Sequence, residues 1–275
     1  MGSRVRQASQ LLGLATATAL CALLSGAQAG SAEGPAPAPL KLAAPPPEFR
    51  LARLAYNDNF AMGFGGGRGM RGGSWTTDAP EAEYHLTQGI RRLTRINTID
   101  PDGADVVLPV RPIDDDLFDY PFLYAVEVGR WYLDDVEAAK LRDYLLRGGF
   151  LMVDDFHGSV QWESFMESLR RVFPDREVVE IPDDHEVFHV VWDLDHKVQI
   201  PGIYALMTGR TYEQDGVEPH WRGVFDDQGR LMVAINFNMD LGDAWEHADT
   251  PEYPQPLTAL AYRFGISYAI YAMSH

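Results

Sequence analysis

The chain has 275 residues, with 40 acidic against 23 basic side chains and a formal net charge of −17. Such a surface disfavours nucleic acid and anionic lipid, because both depend on clustered Lys and Arg. The single cysteine is Cys21, inside the leader described next. Disulfides, thiolate zinc sites and a cysteine nucleophile are therefore excluded from the mature chain.

Arg4 and Arg6 precede a largely apolar run from Leu11 to Leu24, and Ala27-Gln28-Ala29 offers a small-x-small cleavage site before Gly30. Residues 1–29 are expected to be a signal peptide cut after Ala29, placing the protein in the periplasm or outside the cell. The run is too short and too rich in Ala and Thr for a membrane span, so no transmembrane segment is expected in the mature chain. Residues 30–48, rich in Ala, Pro and Gly, are expected to form a disordered or extended tether. About 225 residues remain, the size of a single domain, here residues 49–275.

Leu51–Tyr56 alternates like a first strand. Residues 63–73 contain seven glycines but neither the spacing nor the helix start of a phosphate-binding turn, and read as a flexible loop insertion. Asp78-Ala79-Pro80-Glu81 resembles a capping box ahead of a helix with Leu86, Ile90 and Leu93 on one face. Asp105–Val110 and Pro121–Val128 read as strands, the second apolar enough to be buried on both sides. Asp134 and Glu137 open the next helix, with Ala138, Leu141, Tyr144 and Leu145 inward and Gly148 as its stop.

Phe150–Val153 is the next strand. A helix follows with Trp162, Phe165, Leu169 and Val172 on one face, for which Ser159 is a ready cap, and Pro174 ends it. Glu177–Ile181, Tyr204–Tyr212, Trp221–Asp226 and Leu231–Asn238 are strand-like, with turns at Asp215-Gly216 and Gln228-Gly229. A last amphipathic helix runs from Leu257 to about Tyr271. Strands alternating with helices predict a mainly parallel sheet covered on both faces, with an antiparallel extension in the C-terminal half.

Ligands in open α/β sheets bind beyond the carboxyl ends of the strands, so Asp154, Asp155 and His157 are the first site candidates. Two adjacent carboxylates suit a hard divalent cation such as Ca²⁺ or Mg²⁺ better than zinc; capping and loop hydrogen bonds are the structural alternative. Asn238, Asp240 and Asp243 leave a later strand and could reach the same cluster. His185-Glu186-Val187-Phe188-His189 matches the zinc-protease pattern, and Asp195 falls where a third ligand would stand. Pro182 upstream and Val190-Val191-Trp192 downstream nevertheless argue against the long helix that chemistry needs. A short turn with satisfied histidines is the competing reading.

Phe49–Tyr56, Tyr120–Tyr124, Leu141–Asp155 and His185–His189, with Gly229-Arg230, Asn238–Glu246 and Gly265–His275, together resemble the bacterial family called domain of unknown function 4159. The resemblance spans essentially residues 49–275. It implies a class I glutamine amidotransferase-like, flavodoxin-like three-layer sandwich, in an exported or membrane-tethered context. It does not imply amidotransferase chemistry, which needs a nucleophilic cysteine where this chain carries Asp154-Asp155. Family members often have proline after the first histidine of His185–His189, so Glu186 is a departure. The leading expectation is a non-catalytic module that binds a small-molecule or carbohydrate ligand, or an envelope protein. The alternatives are a divalent-metal-dependent envelope hydrolase using Asp154, Asp155 and His157 with His185 and Asp240, and a tethered envelope assembly factor.

Overall fold

Phe122–Val126, apolar at every position, is paired on both sides and buried throughout, as a strand inside a parallel sheet must be. The computed structural model describes residues 46–59, 73–99, 106–195 and 197–275. In chain order these form β1 (Leu51–Leu54), β2 (Asn57–Asp58), α1 (Glu81–Leu93), β3 (Pro109–Val110), β4 (Phe122–Val126), β5 (Trp131–Tyr132), α2 (Asp135–Leu146) and β6 (Phe150–Asp154). Then come α3 (Gly158–Val172), β7 (Val179–Glu180), α4 (Ile203–Met207), β8 (His220–Phe225), β9 (Leu231–Phe237), α5 (Leu241–Glu246) and α6 (Gln255–Ser274). The expected signal peptide, residues 30–45 of the expected tether, residues 63–72 of the glycine-rich stretch and Asp105 lie outside the described residues. Residues 46–48 are described, and there the Glu48 amide donates to the Asn97 carbonyl and Asn97 Nδ2 to the Pro46 carbonyl, so this end of the expected tether is fastened to the domain.

The fold is mixed α/β. A seven-stranded sheet has the order β3-β1-β4-β6-β9-β8-β7. Its first five strands are mutually parallel, and β8 and β7 extend it through antiparallel pairing. Alternation along each strand sends side chains to opposite faces. Phe122, Tyr124, Phe150 and Met152 pack with Leu86 and Ile90 of α1 and Phe264 and Tyr268 of α6. Leu123, Ala125, Leu151 and Val153 pack with Leu141 and Leu145 of α2 and Phe165 and Leu169 of α3. From β1 the chain runs through α1 to β3 on one side and then returns to β4 on the other. The strand order therefore reverses between β1 and β4, and their carboxyl ends frame the crevice where such sheets take ligands.

Local chemistry accounts for most element ends. Asp134 Oδ1 accepts the amides of Val136 and Glu137, and Glu137 reaches back to the Asp134 amide, closing the predicted capping box. Gly148 takes the left-handed turn that stops α2. Four expectations are corrected. Asp78 makes no side-chain cap on α1; its backbone is left-handed and its carboxyl turns toward the sheet edge. Leu93, at the end of that helix, is exposed. Ser159 does not cap α3, because its amide and hydroxyl are both bound by Asp215, 56 residues away in sequence. Within Tyr204–Tyr212 the chain forms the short helix α4 instead of a strand. Asp243 Oδ2 accepts the Ile203 amide at 2.7 Å, and Tyr204 and Met207 point outward.

One buried ion pair ties the first layer to the sheet. Arg53 on β1 is fully buried and donates through Nε to Glu83 of α1. Its Nη1 donates to the carbonyls of Trp75 at 3.0 Å and Thr77 at 2.5 Å, fastening the loop before α1. Replacing Glu83 by Ala strands that guanidinium without its counter-charge. It should cost about 3–5 kcal/mol, read as a lower urea midpoint for residues 30–275. A loss below about 1 kcal/mol would show that Arg53 finds another partner.

Candidate functional site

The carboxyl edge of the parallel strands gathers acid from five directions. Asp154 ends β6 with no exposed surface, and its Oδ2 accepts the amides of Leu241 at 2.7 Å and Gly242 at 2.9 Å. This carboxylate is the N-terminal anchor of α5, a helix not expected from the sequence. Oδ1 of Asp154 has no hydrogen-bond partner. Asp155 follows in left-handed backbone, donates its amide to the Met239 carbonyl, and faces His157 Nε2 at 3.3 Å. His157 is buried, with Nδ1 unpartnered.

Asp240, after β9, is buried and accepts the Asp243 amide through Oδ1 at 2.8 Å. Its own amide is held by the Ile200 carbonyl. Asp78, on the loop fastened by Arg53, completes a group the sequence did not announce. One carboxyl oxygen each from Asp78, Asp155 and Asp240 lies within 4.8 Å of the others. Gly242 is what lets α5 approach. A Cβ there would stand 2.3 Å from Asp78 Oδ2 and 2.5 Å from the Tyr124 hydroxyl, neither of which has a hydrogen-bond partner.

The remaining candidates fall into three groups. Asn238 spends its side chain on structure: Oδ1 accepts the Gly158 amide and Nδ2 donates to the Glu218 carbonyl. Asp243 borders the site, holding α4 through Oδ2. With Glu246 and His247 it forms a second, half-exposed group whose ligand atoms also lie within 4.8 Å of one another. His185 is elsewhere. It packs on Phe225 and Tyr271 beside the opposite end of β9 and accepts the Val187 amide in a single 3-10 turn over Glu186–Phe188. No long helix carries His185 and His189, and His189 pairs with Asp193 at the surface.

Two further acids escaped the sequence reading. Glu127, just past β4, closes an apolar run that showed no sign of a site, and Glu213 sits in an otherwise featureless loop. Glu213 Oε1, Asp240 Oδ2 and Asp243 Oδ2 all crowd the same face of Gly202. The backbone is a signal in its own right. Among the described residues, the non-glycine positions with left-handed φ are Asp78, Glu127, Asp155, Gln214 and Asn238, and all five surround this edge. Such strain collects where surrounding structure over-determines a site.

Burial, reinforced by like charges, shapes the electrostatics. Asp78 and Asp240 are pushed well above the carboxylate range by desolvation and then by Asp155 and Asp243. Asp154 is raised by burial, which the Gly242 amide partly opposes and the Asp155 charge assists. Burial, then the Asp155 charge, lifts Glu127 to about 9. Close buried carboxyls cannot all ionise together, so the edge needs protons or a cation.

These features define a mostly parallel α/β domain with an acidic site at the carboxyl edge of its sheet. The chain belongs to the family described as Domain of unknown function (DUF4159), whose family model matches residues 50–273. No curated protein matches the chain in sequence. Among the described residues no helix is long and apolar enough to cross a membrane.

Raised carboxyl pKa values mean that the folded state retains protons the unfolded chain releases. Glu127 contributes stability that is full below its ordinary value of 4.5 and drains as pH climbs through about 9. With a chelator present, the thermal midpoint should rise as pH is lowered from 9 to 5, with a shallower slope in Glu127→Gln. A midpoint that is flat or falls over that range contradicts the assignment.

Proposed function

We propose that this is an exported, non-catalytic binding module, built on a flavodoxin-like, class I glutamine amidotransferase-like scaffold, that takes its ligand at the carboxyl edge. The observation that carries the reading is the convergence of Asp78, Asp155 and Asp240 beyond the carboxyl ends of the parallel strands β6 and β9. An edge made of acceptors favours ligands rich in hydroxyl or amine donors, such as carbohydrates or cationic peptides, and repels bare anions. Amidotransferase chemistry lacks its nucleophile here. The comparable strand end is Asp154-Asp155, and Asp154 is committed to holding α5. The leader and the Pro-rich segment of residues 30–48 support delivery to the envelope with a spacer ahead of the domain.

The chain from Gly30 onward, labelled with ¹⁵N-glycine, offers reporters at this edge, since Gly202 adjoins Asp240 and Asp243, Gly242 adjoins Asp78, and Gly216 adjoins Asn238. Titration with chito-oligosaccharides and lysine-containing dipeptides should give saturable amide shifts centred on those three glycines with one of the two classes. Shifts centred on Gly89, in the groove lined by Tyr84, His85 and Tyr262, or none with either class, would contradict the proposal.

A further inference from the structure

We infer that Asp78, Asp155 and Asp240 form a binding site for one hard divalent cation, of the Ca²⁺ class, through which the edge holds its ligand. The inference rests on the reading of this edge as the binding edge, and names the ion that completes it. Its three ligands come from separate elements: the loop before α1, the end of β6 and the end of β9. Each is fixed before any ion arrives. Arg53 fastens the Asp78 loop at the Trp75 and Thr77 carbonyls. Asp155 hangs from the Met239 carbonyl and Asp240 from the Ile200 carbonyl.

The spacing fits the ion. Calcium binds oxygen at about 2.3–2.6 Å, so ligand oxygens on opposite sides of it stand about 4.6–5.2 Å apart. The three carboxyl oxygens lie within 4.8 Å of one another, no farther apart than oxygens sharing one such ion can stand. The donor set is all oxygen, which suits a hard cation and not zinc. His157 stands behind Asp155 at 3.3 Å, in the position of the imidazole that orients a ligating carboxylate. Arg53, whose charge acts on Asp78, is engaged through Nε by Glu83.

A second observation, independent of the acidity, points the same way. Tyr124 is 1 % exposed with its hydroxyl unpartnered, and Asp154 is 0 % exposed with Oδ1 unpartnered. Asp78 Oδ2 is buried and unpartnered beside them, and it crowds Gly242 together with the Tyr124 hydroxyl. Buried polar atoms without partners each cost about 1–3 kcal/mol, and a group of them in one place marks a missing partner. Each proton relieves one charge and bridges one pair of oxygens. A cation accepts lone pairs from all three carboxyls at once, and its coordinated water donates to the remaining oxygens.

The test uses the mature full chain, stripped with chelator and titrated calorimetrically with CaCl₂, MnCl₂ or MgCl₂ alone. At about 1 mM, within the range of extracellular calcium modules, at least one ion should bind at a single site and raise the thermal midpoint. Asp78→Asn and Asp155→Asn suit the left-handed backbone those residues occupy, and each should weaken binding by about tenfold or more. Asp119→Asn, an exposed acid just before the start of β4, should bind like wild type. The inference is overturned if no ion binds saturably, if both site variants bind like wild type, or if Asp119→Asn loses binding equally. Should either site variant unfold, Mn²⁺ broadening in the wild type decides. Gly202 and Gly242 amides must broaden before Gly89 and Gly229, and the reverse order rejects the site. Metal binding without organic-ligand shifts would leave the cation and remove the ligand proposal; ligand shifts without metal binding would do the opposite.

Discussion

Carboxyls buried face to face impose the constraint that organises this molecule's working edge. Asp78, Asp155 and Asp240 approach one another while Asp154 lies fully buried beside them. Such a group repels itself unless neighbouring structure holds it in place. Arg53, drawn into β1 by Glu83, grips the loop that presents Asp78. Asp154 does the equivalent for α5, accepting its first two amides and so placing Asp240 and Asp243. Gly242 then removes the one side chain that would keep α5 away from Tyr124 and Asp78. The strained turns at Asp78, Glu127, Asp155 and Asn238 are the backbone counterpart of the same requirement.

The scaffold and the site draw on different kinds of information. Buried strands such as β4 and β6, and the Asp134–Glu137 capping box, announce themselves through local pattern, because their residues interact with near neighbours or with a uniformly apolar interior. The class of the sheet was legible for that reason, as was the antiparallel extension carried by β8. Asp154 and Asp155 were legible as site candidates because they sit at the carboxyl end of an apolar strand. Asp78 was not. Its Asp-Ala-Pro-Glu context is indistinguishable from a helix cap until Arg53 is seen pulling the loop across the sheet.

The two helices that escaped sequence reading, and the cap of a third that did not, share one cause: each helix start is set from far along the chain. Helix α5 begins on Asp154, 87 residues before Leu241. Helix α4 begins on Asp243, 40 residues after Ile203, which converts an apolar stretch with strand-like composition into a helical turn. Helix α3 is capped by Asp215 although Ser159 stands at its start. Conversely, the His185–His189 spacing carried a strong chemical suggestion that tertiary structure does not use. The turn is too short to align the two imidazoles, and His185 is spent on a backbone amide and two aromatic rings.

The measurement that bears most directly on the central claim is diffraction at the manganese absorption edge from crystals of residues 30–275 grown with MnCl₂. The account predicts one dominant anomalous peak within bonding distance of carboxyl oxygens from Asp78, Asp155 and Asp240. A map with no peak there, while those three carboxyls still face one another, would contradict it and leave shared protons as what holds the acidic edge together.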